Sequence, residues 1–240
     1  MKQVPTPNAW EVLRGSVSLL DLPLRQELAA QWARDAQFEH ASIASFGRFA
    51  LELLAVGAPA ELVERAHRAA IDEIEHARLC FSLASLYGGV ALGPGPLPID
   101  ASAFSSAPDL VAMTHATVLE GCVNETLAAL EAEAGATHAE PEAVREVLRA
   151  IQRQETDHAS LAFAFVSWAL AVGGAGVRAA AVAAFQLAER EIKGRLQQPE
   201  PEHAALLRAH GRLSAAQRTE LRERAVRQVV TPAATELLRL

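Results

Sequence analysis

The sequence predicts an all-α fold built on a four-helix bundle, and three observations carry the prediction. Half of the residues are apolar, with many Ala and Leu among them, a balance that favours helix over sheet. Trp32, Glu39, Phe46 and Leu53 recur every seven residues, the spacing that keeps side chains on one helical face. Two Glu-x-x-His tetrads, Glu73-Ile74-Glu75-His76 and Glu155-Thr156-Asp157-His158, stand 82 residues apart in helix-like stretches. Residues three apart on a helix share a face, so each tetrad can offer a carboxylate and an imidazole to one metal ion.

The elements follow in order. A first helix is expected over residues 23–56, with Glu39 in the middle of its apolar stripe. Gly57-Ala58-Pro59 ends it, and Pro59 suits the first turn of a second helix that continues to Tyr87, where Gly88-Gly89 stop it. Residues 88–107 carry four glycines and three prolines and predict an irregular connection. About 20 extended residues reach up to roughly 65 Å, enough for a long crossover between two helical hairpins. A third helix is expected from about residue 108 to Ala134, a short loop holding Gly135 and His138, and a fourth helix from Pro141 to just before Gly173. Beyond the bundle a fifth helix is expected over 177–196, then a short helix closed by Gly211, then a helix announced by the capping box Ser214-x-x-Gln217. Pro232 should break or kink the last stretch.

The chain of 240 residues is long enough to bury a full core, and the expected organisation is one domain over 1–240, with a bundle core at 23–172 and a helical extension at 177–240. A net charge of −7 with dispersed Lys and Arg offers no basic stripe for nucleic acid. Cys80 and Cys122 are spaced neither as a metal pair nor as a redox pair, and the N-terminal residues lack the apolar core of a secretory signal. Together these predict a cytoplasmic protein with reduced thiols. Residues 159–177 form an uncharged run of 19 residues, which meets the length of a membrane span. The run follows directly on His158 and ends in Gly173, Gly174 and Gly176, so it reads as a buried bundle helix.

The two hairpins look like a diverged repeat. Glu73-x-x-His76-Ala77-x-Leu79-x-Phe81 aligns with Glu155-x-x-His158-Ala159-x-Leu161-x-Phe163, and Glu39 precedes its tetrad by 34 residues while Glu120 precedes its own by 35. Two half-sites facing each other across a pseudo-two-fold axis would make one site of four carboxylates and two imidazoles, a ligand set known from bundle cores. Depth selects Glu120 over Glu125 as the carboxylate of the third helix. Glu120 lies 14 residues before Ala134 and Glu155 lies 14 after Pro141, whereas Glu125 would be displaced by about 7.5 Å and turned by about 140°. In the first hairpin Glu39 lies 17 residues before Val56 and Glu73 lies 14 after Pro59, a mismatch of about 4.5 Å for loop and tilt to absorb.

Four carboxylates neutralise two divalent ions, and oxygen-rich ligation with one imidazole per ion suits iron or manganese better than zinc. Ala77, Cys80 and Leu83 share a face with one tetrad, and Ile151, Ala162 and Phe165 with the other, which predicts apolar surroundings for both. Gly121, costly inside a helix, marks a π-bulge, a close helix contact or a tolerated small residue. Asn124 shares the face of Glu120, and Asp72 is an acceptor that could orient His158 or an exposed helix acid. His40 is expected at the surface or beside the ligands. Tyr87 lies almost three turns from His76.

The pattern Glu, Glu-x-x-His, Glu, Glu-x-x-His on four successive helices resembles the ferritin-like di-iron carboxylate superfamily over residues 23–172. The resemblance lands on Glu39, Glu73, His76, Glu120, Glu155 and His158. It implies that these six are both the metal ligands and the catalytic residues, that Glu73 and Glu155 bridge or nearly bridge the metals, and that the cofactor is two iron ions, with manganese an alternative at one or both positions. In the monooxygenases of that superfamily both tetrads look like Asp-Glu-x-Arg-His, whereas here only Asp72 keeps the preceding acid, and Glu75 and Asp157 stand at the arginine positions. The function the resemblance implies is an oxidoreductase that activates dioxygen or peroxide, draws on an electron donor and oxidises a substrate held in an apolar interior lined by Phe46, Phe49, Phe81 and Phe165. A homodimer is compatible with that role. The alternative is a ferroxidase for iron storage or detoxification in a larger assembly, against which stand the structured tail and the lack of an acidic run.

Overall fold

A computed structural model describes residue 10 and residues 20–99, 108–193 and 203–239, and among these every regular element is helical. The order is α1 (Leu22–Ala55), α2 (Ala60–Gly88), α3 (Leu110–Thr117), a π-helical stretch (Val118–Glu125), α4 (Thr126–His138), α5 (Glu142–Val172), α6 (Gly174–Lys193), α7 (Ala204–Ala209), α8 (Ala215–Ala225), a π-helical turn (Val226–Val230) and α9 (Thr231–Leu237). No helix among the described residues is long and apolar enough to cross a membrane. The uncharged run 159–177 is divided between α5 and α6 by the turn at Gly173. Contacts divide the chain into two compact units, one of Met1–Leu51 with Ala66–Ser106 and one of Glu52–Arg65 with Ala107–Leu240.

In the first unit α1 and α2 lie antiparallel. Arg25 Nε, near the start of α1, donates to the carbonyl of Tyr87 at the end of α2, and further along the pair His76 stands beside Glu39. Asp21 caps α1 by accepting from the amide of Leu24, and Pro23 occupies the first turn, where its missing N–H costs nothing. Ala29, Ala33 and Ala36 are buried on α1, and a Cβ added at Gly88 would sit 3.5 Å from Ala29 Cβ, so small side chains let the backbones approach closely. Trp32 on α1 and Phe81, Leu83 and Tyr87 on α2 are among the largest fully buried side chains, each contributing about 1.5–3 kcal/mol by leaving water. Gly89, at φ +71°, ends α2 in the left-handed conformation that glycine adopts most easily. The chain then runs irregularly through residue 99. The rest of the expected crossover, 100–107, lies outside the described residues.

In the second unit Leu110 to His138 is one continuous helix with a change of winding inside it. Asp109 caps it by accepting from the amides of Val111 and Ala112. Its buried pairs are Met113/Thr114, Thr117/Val118, Cys122/Val123 and Thr126/Leu127, spaced four, five and four residues apart. The five-residue step falls in the π stretch, which carries one residue more than an α turn. Gly121 sits there, and a Cβ on it would lie 2.4 Å from Ala162 Cβ on α5. It therefore marks both a π-bulge and a close helix contact. The helix ends at His138, four residues beyond the expected Ala134. Gly135 lies inside that helix, at a place where an added Cβ would lie 2.7 Å from the carbonyl oxygen of Gly211.

The remaining elements pack on this pair. Arg145 joins the turn between α4 and α5 by donating to the carbonyls of Ala139 and Glu140 and to the carboxylate of Glu142. The amide of Glu140 donates to the carbonyl of Ala209, which seats α7 against the same turn. α6 begins at Gly174, three residues earlier than expected, because Gly174 takes φ +67° and completes the reversal at once. Gly211 at φ +76° closes the short helix, and both halves of the Ser214/Gln217 capping box are formed. Pro232 is taken up by the π turn ahead of it, where the amide of Thr231 reaches back five residues to the carbonyl of Val226.

Two substitutions in this tail should rank in a definite order. Ser214→Ala removes one cap bond and is expected to lower the unfolding free energy by about 1 kcal/mol. Gly211→Ala forces a Cβ to 2.6 Å from Leu148 Cδ1 at a positive φ and should cost more, about 1–3 kcal/mol from overpacking alone. Urea unfolding of the two variants checks the order.

Candidate metal centre

Each unit holds one glutamate from one helix and a Glu-x-x-His pair from the next. In the first unit α1 supplies Glu39 and α2 supplies Glu73 and His76. His76 Nδ1 lies 3.5 Å from Glu39 Oε2 and 3.6 Å from Glu73 Oε2, and one ligand atom from each of the three falls within 4.8 Å of the others. Glu73 is 1% exposed, His76 is fully buried and Glu39 is partly exposed. Ala69, Ala77 and Cys80 are buried on the same side of α2, so the pair projects from an apolar face.

In the second unit the triad is Glu125, Glu155 and His158. Glu125 is the last residue of the π stretch, and Glu155 and His158 lie mid-way along α5. His158 Nδ1 stands 3.3 Å from Glu155 Oε2, and one ligand atom from each of the three again lies within 4.8 Å of the others. Glu155 and His158 are buried and Glu125 half-buried. Ile151, Ala162 and Phe165 are buried on α5 around them.

Carboxylates withdrawn from water need a compensating charge, because burying an ionised carboxylate alone is very costly. The histidine-to-carboxylate distances of 3.3–3.6 Å are longer than a good charge-assisted hydrogen bond. Donor atoms bonded at about 2.1 Å to one ion, at angles between right and tetrahedral, lie about 3.0–3.4 Å apart, close to the spacing found. Two carboxylates and one neutral imidazole balance a divalent cation. Each buried Glu/His cluster could therefore hold a metal ion.

Five residues expected as ligands stand in these triads: Glu39, Glu73, His76, Glu155 and His158. Glu120 does not. It is exposed, on the outer side between the buried pairs Thr117/Val118 and Cys122/Val123, and Glu125 stands with Glu155 and His158 instead. Two features of the helix account for the difference. It runs four residues past the expected end, and from the observed ends Glu125 lies 13 residues before His138 and Glu155 lies 13 after Glu142. The extra residue of the π stretch also shifts the angular position of Glu125 by one place relative to an unbroken α period. The readable signal for Glu125 was Gly121 taken as a π-bulge, together with a helix allowed to run through Gly135.

Other candidates fall in varied places. Asn124 is exposed, and Asp72 is half-buried. His40 packs edge-on against Trp10 at 5.4 Å between ring centres, and Trp10 also meets Phe81 edge-on at 6.4 Å. Desolvation there pushes the His40 pKa below its ordinary value. Phe81 and Phe165 are fully buried, whereas Phe46 and Phe49 are half-buried. Burial pushes the Cys122 thiol well above its usual range, so it stays neutral.

Comparison of the chain with protein-family models, with curated proteins and with solved structures gives no match.

Glu125→Ala is expected to weaken Mn(II) binding at least about tenfold, since even the partners behind metal ligands are worth that much. Glu120→Ala should leave binding unchanged. Anaerobic calorimetric titration of both variants checks the pair, and equal effects would overturn the assignment of Glu125.

Proposed function

We propose that each triad holds one metal ion and that the protein is a ferritin-like di-iron carboxylate oxidoreductase acting with dioxygen or peroxide. The observation that carries this reading is the recurrence of the same constellation, a glutamate on one helix and a buried Glu-x-x-His pair on the next, in both units. Glu39, Glu73 and His76 would hold one ion, and Glu125, Glu155 and His158 the other. Four carboxylates and two imidazoles favour iron, with manganese able to replace it at one or both positions. When bound, such a pair of metals supplies the electrons that reduce dioxygen or peroxide.

The chain's own residues shape the surroundings. Ala69, Ala77 and Cys80 on α2 and Ile151, Ala162 and Phe165 on α5 keep water from the Glu-x-x-His pairs, which strengthens every electrostatic interaction among them. The imidazoles of His76 and His158 turn Nδ1 toward the carboxylates; with Nδ1 bound to a metal ion, Nε2 would carry the ring proton. Two free buried cysteines fit a reducing cytoplasmic setting. The oxidised substrate would be an organic molecule, with electrons arriving from a separate donor.

Anaerobic ferrous titration followed by oxygen exposure tests the reading. Two irons per chain and a transient visible absorption on oxygenation, in a protein whose native mass is that of a monomer or small oligomer, are expected. Uptake of many irons per chain into a large shell would favour storage instead. No iron uptake at all would remove both readings.

A further inference from the structure

Glu125 reaches its triad through an irregular piece of helix, and the residue directly after it is built to hold that irregularity in place. The π stretch Val118–Glu125 contributes one residue more than an α turn would. Its removal would turn Glu125 by one helical position, about 100°, relative to α3. At the junction the amide of Thr126 donates to the carbonyl of Val123, three residues back. The carbonyl of Cys122, four residues back, which that amide would take in an uninterrupted α-helix, accepts instead from the Thr126 hydroxyl at 2.8 Å. Thr126 is 7% exposed and Cys122 fully buried, so water is a poor substitute for this bond. On the other side of the stretch Gly121 permits the close approach to Ala162.

We propose that Thr126 is a positioning residue for the metal centre: its hydroxyl, by satisfying the Cys122 carbonyl, stabilises the π turn that orients Glu125 toward Glu155 and His158. The inference rests on the reading of these three as metal ligands. Without the hydroxyl, the Cys122 carbonyl gains most by taking the Thr126 amide in an ordinary α turn. That rearrangement consumes the extra residue and rotates Glu125 away. Other threonines make the same kind of bond in regular helix, such as Thr137 to the carbonyl of Glu133 at 2.9 Å. What sets Thr126 apart is the amide committed elsewhere.

The test is a titration of the metal-free protein with Co(II), whose visible spectrum reports its ligands, in Thr126→Val, Thr126→Ser and Thr137→Val. Thr126→Val keeps the shape and loses the hydroxyl; it should weaken Co(II) binding by about 10–100-fold and alter the spectrum. Thr126→Ser should restore both, and Thr137→Val should change neither. Amide hydrogen exchange of the metal-free variants adds a second readout, with protection at residues 122–127 changed in Thr126→Val and kept in Thr126→Ser. Should Thr126→Val not fold, Thr126→Ala against Thr126→Ser gives the same comparison. Wild-type affinity and spectrum in the variant without the hydroxyl, or equal losses in the valine and serine variants, would overturn the proposal. If the unaltered protein takes no Co(II), the metal-centre reading falls and this inference falls with it.

Discussion

Removing ionisable groups from water is the constraint on which this architecture turns. Glu73, His76, Glu155 and His158 are almost completely buried in helices otherwise rich in Ala, Leu and Phe. A protein selected for stability alone would place apolar residues there, since a buried ion pair seldom improves on well-packed hydrophobic side chains. Both units accept this cost at equivalent places and in the same order, carboxylate then imidazole three residues on. Around those points the helices are lined with small residues, Ala69 and Ala77 on α2 and Ala159 and Ala162 on α5, so bulk is withheld where donor atoms must converge.

Much of the fold was legible because long amphipathic helices write their period plainly into the sequence. In the seven-residue series on α1, Trp32 and Leu53 are buried and Glu39 and Phe46 half-buried, and glycine and proline placed the boundaries of α1, α2 and α5 to within a residue or two, the ordinary uncertainty of helix ends. The tetrads were equally plain, since three-residue spacing is a local property of any helix. Glu125 was hidden for two physical reasons. Gly135 looks like a helix stop, and nothing near it in the sequence reveals that the helix passes through it with Gly211 packed close by. The π stretch inserts a residue without changing the composition around it, so its single trace was a glycine inside a helix at 121.

The two triads are alike in chemistry and unlike in construction. Glu39 comes from the uninterrupted helix α1, with His40 beside it stacked edge-on against Trp10. Glu125 comes from a stretch of altered winding, with a neutral thiol three residues before it and a hydroxyl one residue after. One carboxylate is thus held by regular structure and its counterpart by a specific side-chain bond. The same set of side chains is in this way carried by two differently built backbones.

The contact between Gly135 and the Gly211 carbonyl reaches beyond packing. A helix interior normally disfavours glycine, and nothing local to α4 calls for one at 135; the hollow there exists for the segment that follows α7. The α4–α5 hairpin is therefore shaped around a partner encoded 76 residues downstream of Gly135. During synthesis the place beside Gly135 stays unfilled until Gly211 has emerged. The hairpin and the segment around Gly211 thus form one packed object, each shaped to the other's surface.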